Sequence, residues 1–174
     1  MGQSAMLVEL DGLDAAMALF AAIEARRTAE IAGPHDGVRY DVFAGVREVV
    51  PAARTKRLCG DALDIYSGNV DLILPLLSIG GAGVISVAAN VVPKAVKRIT
   101  DLFFAGDTAG AAQAQLALLD LAEALFCEVN PIPVKEALAQ MGMIEANYRM
   151  PLCPMADDTR AALTDALKGA GLLD

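Results

Sequence analysis

The sequence predicts an α/β chain, mostly helical, in which a parallel strand–helix–strand unit precedes a tail of four helices. Three observations predict this. Gly83-Val84-Ile85-Ser86-Val87 is a short apolar run that closes at Asn90 and Pro93, as a strand buried on both faces does. Asn130-Pro131-Ile132-Pro133 sets two prolines in a corner where neither can donate to a central strand or helix interior. Downstream of the strands, apolar residues recur at helical spacing between glycine and aspartate punctuation.

The elements follow in order. Leu13 to Arg26 has the spacing of an alanine-rich amphipathic helix, and Ile31 to Tyr40 breaks at Gly33-Pro34 and Asp36-Gly37. Val42 to Val50 suits either a strand or a helix. Leu63 to Ser67 reads as a strand ending at Gly68-Asn69. Asp71 to Ile79 reads as a helix with Pro75 near its first turn and Gly80 at its end. Val84 to Val87 is the buried strand. Pro93 to Ala105 is a helix with Lys94, Lys97 and Arg98 on one side. Asp107 is placed to cap a long helix, Ala109 to Phe126, with Leu116, Leu119, Leu125 and Phe126 as its core face. Val134 to Met141 ends at Gly142. Thr159 to Lys168 starts at a cap from Asp157 or Asp158 and ends at Gly169 and Gly171. Two parallel strands need a right-handed crossover and cover for both faces.

Composition narrows the function. The 174 residues suit one domain, 55% are hydrophobic and 5% aromatic, and the net charge is -8. That charge disfavours nucleic acid, whose phosphates require clustered Lys and Arg. The three cysteines, Cys59, Cys127 and Cys153, are scattered and odd in number, which fits a reduced, cytoplasmic setting. The one histidine, His35, has no ligand-spaced neighbour, so neither a metal nor another cofactor is expected. Leu72 to Val92 is uncharged and nearly long enough for a bilayer, yet Pro75 and Gly80-Gly81-Ala82-Gly83 interrupt it. A helix, a glycine turn and a strand account for it better than a membrane span. The same glycines lack the Lys-Ser/Thr of a phosphate loop.

From about Arg54 to Asp174 the chain resembles the C-terminal part of the dihydrodipicolinate synthase family, within the class I pyruvate aldolases. The segments that carry the resemblance run from Asp64 to Asn69, Gly80 to Pro93, Ala105 to Asp107, Leu125 to Glu128, Asn130 to Lys135, and Gly171 to Leu173. The resemblance implies a partial (β/α)8 TIM barrel, contributing its last two strands, followed by a C-terminal helical region. It divides the chain into an unmatched segment 1–53, barrel residues 54–93 and tail helices 94–174. It implies condensation of pyruvate with aspartate semialdehyde through a lysine Schiff base, a step of lysine and diaminopimelate synthesis. Two positions carry over as substrate-binding: Ile85, whose backbone lines the pyruvate pocket, and Gly68 beside it. Each also has a packing reading, as a core strand residue and a strand terminator.

The departures matter as much. The resemblance puts the imine-forming lysine at about Phe43, and phenylalanine cannot form an imine. The family's tyrosine–arginine segment and threonine pair are missing, so no catalytic residue is assigned. Val134-Lys135-Glu136-Ala137 spells the Schiff-base string, but inside the late helical corner, where Lys135 reads as a tail residue. The expectation is therefore a truncated or rearranged synthase, inactive alone, with segment 1–53 a fusion or a misread frame. Two alternatives stand beside it. One is a module that self-associates or pairs with a chain supplying the missing barrel half, since bare strand edges recruit partners. The other is a fragment of a different pyruvate-type aldolase.

Overall fold

The computed structural model describes residues 6–9, 42–46, 49–60 and 63–174. The predicted helix Leu13–Arg26, the turn at 31–40 and His35 lie outside them. The chain divides into two compact units, Met1–Ile85 and Ser86–Asp174.

The first unit holds a parallel sheet. Its strands are β1 (Met6–Glu9), β2 (Val42–Val46), β3 (Asp64–Ser67) and β4 (Gly83–Val84), and their order is sequential, β1-β2-β3-β4. The sheet thus extends by two strands beyond the two evident in the sequence. Val42 to Val50 divides: Val42–Val46 pairs with β3, and α1 (Val49–Cys59) follows. A run that suits either state resolves into both, because Pro51 fits a first helical turn and β-branched Val42 and Val46 fit a strand. Helix α1 buries Ala52, Thr55 and Cys59, one stripe of its surface. Strand β3 alternates, with Ile65 and Ser67 buried between exposed Asp64 and half-buried Tyr66.

Helix α2 (Ile73–Ser78) buries Ile73, Leu76 and Leu77. Gly81 N–H donates to Leu76 O at 2.8 Å and Gly80 N–H to Leu77 O at 3.0 Å, the paired bonds of a Schellman C-terminus. Gly80 sits at φ 91°, a conformation side chains resist. The glycine run is thus a helix stop and a turn into β4.

Strand β4 is shorter than predicted. Pairing covers Gly83–Val84, and Ile85, expected in the core, is 42% exposed. The reason lies just beyond: Ser86 Oγ accepts from Ala89 N–H at 3.2 Å, turning the chain into a 3-10 turn at Ala88–Asn90 instead of extending it.

The second unit is helical: α3 (Pro93–Phe104), α4 (Thr108–Leu116), α5 (Leu119–Ala124), α6 (Ile132–Gln140) and α7 (Asp157–Gly169). Lys94, Lys97 and Arg98 lie on the exposed side of α3, with Lys97 paired to Asp101 across one turn. Asp107 caps α4, its Oδ1 accepting from Gly110 N–H at 2.8 Å. The single helix predicted for Ala109–Phe126 is two, interrupted at Ala117-Leu118. Its buried stripe runs through Ala111, Gln115, Leu118, Ala122 and Leu125, whereas Leu116 and Phe126 are 65% and 45% exposed. Helical spacing from Ala111 and Leu125 selects the buried face, so large residues one position off it face outward. Helix α6 begins at Ile132, inside the proline corner, because Pro133 occupies a first-turn position where no N–H is needed. Neither Asp157 nor Asp158 is the N-cap of α7. That residue is Ala156, and Glu128 from the loop between α5 and α6 accepts from Ala156 N–H at 3.0 Å and from the Thr159 hydroxyl.

Candidate functional site

In a parallel sheet the carboxyl ends of the strands form the edge where chemistry is placed. Register aligns Val46, Ser67 and Val84 along that edge. Beyond it the chain bends sharply at β3. The buried Ser67 hydroxyl donates to Asn69 O at 2.6 Å, and Asn69 N–H returns a bond to Ser67 Oγ at 3.3 Å. This Asx-like corner satisfies a fully buried hydroxyl and holds Gly68 out at the strand end. Ile85 N–H donates to Ser67 O at 2.8 Å. The two sequence-predicted positions, Gly68 and Ile85, thus flank one residue, Ser67, at the carboxyl edge.

Phe43 lies elsewhere. It pairs with Asp64, near the amino end of β3, and the β2 residue level with Ser67 is Val46. The position that counting back along the chain assigns to the lysine is thus three residues before the one level with Ser67. Strand β2 is Val-Phe-Ala-Gly-Val, without an amine at any level, and the first lysine in the sequence is Lys56, on α1. The Lys56 stem lies against the Gly80 backbone, its Cε 3.1 Å from where a Gly80 Cβ would stand.

The second unit gathers a different set of groups. Glu136 on α6 is 6% exposed. Its Oε2 accepts from Tyr148 OH at 2.9 Å, its Oε1 accepts from Gln140 Nε2 at 3.2 Å, and Arg160 Nε lies 3.3 Å from Oε1. The Arg160 Nε approach lacks hydrogen-bond direction, so the attraction is that of charge, while Arg160 Nη2 donates to Met155 O at 3.1 Å. Gln140 Oε1 accepts in turn from Thr164 Oγ1 at 2.9 Å. Lys135 donates to Asn147 O and sits 5.3 Å from the centroid of the Tyr148 ring, a cation–π contact. The amine of the Val134-Lys135-Glu136-Ala137 string is thus engaged in anchoring the segment 145–149 to α6. Sequence spacing gave no sign of this knot, because its members come from three separate segments. Among the described residues, no group of three His, Cys, Asp or Glu is disposed to hold a metal. No described helix is long and apolar enough to cross a membrane.

The sequence model of the Dihydrodipicolinate synthetase family matches residues 41–170, from the start of β2 to the end of α7. The chain belongs to that family. The dihydrodipicolinate synthetase match takes in β2 as well, upstream of Arg54. The chain is 41% identical over 138 residues to 4-hydroxy-tetrahydrodipicolinate synthase of Pelobacter propionicus, covering 77% of this chain and 48% of that enzyme. It is 49% identical over 113 residues to the same-named enzyme of Clostridium novyi, covering 65% of this chain and 38% of that one. Among solved structures, the chloride-inhibited dihydrodipicolinate synthase of Acinetobacter baumannii complexed with pyruvate superposes with a TM-score of 0.77 at 26% identity, over 97% of this chain and 66% of that one. The chain therefore spans less than half the length of the curated dihydrodipicolinate synthase relatives it matches. Its sequential parallel sheet and following helices are a partial α/β barrel of this family with its helical tail.

Proposed function

We propose that this chain is the carboxyl-terminal half of a dihydrodipicolinate synthase, which binds pyruvate at the strand edge but does not condense it with aspartate semialdehyde alone. The observation that carries the reading is the carboxyl edge itself. Gly68 and Ile85 are brought together on either side of Ser67, while β2 presents no lysine. The backbone of Ile85 is held in place by its bond to Ser67. The condensation needs a neutral amine that attacks the pyruvate ketone, expels water and leaves an imine to draw electrons from the methyl carbon. Strands β1 to β4 carry no lysine, so the described sheet offers no amine for that attack. The unpaired cysteines accord with a cytoplasmic setting. The solved relative that carries pyruvate supports the substrate class.

The test is imine trapping. Purified chain is incubated with pyruvate, reduced with borohydride and weighed by mass spectrometry. The expected mass is that of the unmodified chain; a covalent pyruvyl adduct would overturn the inactivity. In parallel, a pyruvate titration followed by amide NMR should shift Gly68 and Ile85 first. Shifts confined to the helical tail would overturn the pocket assignment.

A further inference from the structure

Strand β4 is joined to β3 by a short ladder. It has two register pairs, Tyr66 with Gly83 and Ser67 with Val84. The chain enters β4 through Ala82 N–H, which donates to Ile65 O at 2.7 Å, and leaves it through Ile85 N–H, which donates to Ser67 O at 2.8 Å. Between these two bonds stands Gly83. Glycine weakens a strand, because it has no side chain to pack and loses more backbone freedom on folding. The Tyr66 ring makes up that deficit. A Cβ on Gly83 would lie 3.1 Å from Tyr66 Cε1 and 3.2 Å from Tyr66 Cδ1, and beyond its chain neighbours it would meet no other residue within 4 Å. An aromatic ring laid against a cross-strand glycine supplies the contact that the glycine lacks and pins the register. The ring in turn requires glycine there, since a larger residue would press on it.

We propose that Tyr66 is a positioning residue for pyruvate: its ring, set against Gly83, holds β4 in register and so fixes the Ile85 backbone at the strand edge. This rests on the reading above, in which pyruvate binds beside Gly68 and Ile85, and it adds a residue that acts through another. A one-residue slip of β4 would exchange the side chains on its two faces and break the bond from Ile85 N–H to Ser67 O. With two pairs in the ladder, few contacts resist such a slip, and the Tyr66–Gly83 pair is half of them. The ring carries the role, because Cδ1 and Cε1 are the atoms that face Gly83.

Pyruvate titration of the full chain, followed by amide NMR, tests this. Tyr66→Phe keeps the ring and should bind pyruvate as the wild type does. Tyr66→Ala should weaken binding about fivefold, the upper end of what a cross-strand pair contributes, and should speed hydrogen exchange at the Ile85 amide. Gly83→Ala should also weaken binding, by displacing the ring, and it gives the readout if Tyr66→Ala unfolds. In the double variant the added methyl group has room, so the loss should be smaller than the product of the two single losses. Tyr148→Phe, which removes a hydrogen bond in the helical unit, should leave the affinity unchanged and so separates positioning from lost stability. Equal affinity in the wild type and Tyr66→Ala overturns the proposal and leaves the pyruvate reading standing. A loss in Tyr66→Phe equal to that in Tyr66→Ala overturns it too, since the role would then belong to the hydroxyl. A wild-type chain without a saturable shift overturns the pyruvate reading and the positioning role together.

Discussion

The Tyr148 hydroxyl is held by Glu136, and burial, that bond and the carboxylate's charge push its pKa up from 10.0 to about 12. Ionising it would set a phenolate against a buried carboxylate. Because the folded-state value lies above the unfolded one, the hydroxyl's contribution to stability is complete below pH 10 and disappears as pH rises toward 12. Thermal melting followed by dichroism should therefore fall more steeply across that window in the wild type than in Tyr148→Phe. Equal slopes would mean that the hydroxyl is not protected in the fold. At this scale the sequence served unevenly. Gly68 and Ile85 stood out through motif spelling, and they lie together at the strand ends. The Glu136–Tyr148–Arg160 knot was invisible, because charged residues far apart in the chain meet only after α6 and α7 pack. Ile85 illustrates the limit in another way: its apolar character suggested a core position, but exposure depends on whether another strand lies beside it.

Element ends were the most legible features, since they depend on local backbone chemistry. Gly80 and Gly142 just past the ends of α2 and α6 and Asp107 at the start of α4 follow from rules that involve only a few neighbouring residues. The glycines are not equivalent, however. A Cβ on Gly81 would stand 2.7 Å from Leu76 O and 3.0 Å from Leu76 C, backbone atoms that cannot yield without opening the turn. Gly81→Ala should cost about 2 kcal/mol in urea unfolding, in the usual range for a strained backbone site. Gly169, in the last turn of α7, has nothing within 4 Å of such a Cβ. There the same change should stabilise by about 0.5 kcal/mol through helix propensity. Similar losses at both positions would refute the steric account. Element phase was harder to read than element ends. Leu116 and Phe126 are large and apolar, but the stripe through Ala111, Leu118 and Leu125 determines which side of α4 and α5 is buried. The α7 cap was also hidden, because its acceptor Glu128 lies in a loop distant in sequence.

At the scale of the whole molecule, the net charge of -8 makes copies of the chain repel at low salt. Salt screens that repulsion over about 8–10 Å at physiological strength. Light scattering should therefore report a weaker repulsion between molecules as salt is raised from low to physiological concentration; a repulsion that salt leaves unchanged would mean that net charge does not govern it. The sequence by itself determined the family, the parallel strand–helix alternation, the helix stops and the absence of lysine from β2, because each is written in contiguous residues and their spacing. The tertiary structure alone decided that β1 and β2 join the sheet, that Val46 rather than Phe43 is level with Ser67, and that Ile85 is left partly uncovered. Those features depend on inter-strand register and on which neighbours are present, which are properties of hydrogen-bond partners distant in the chain.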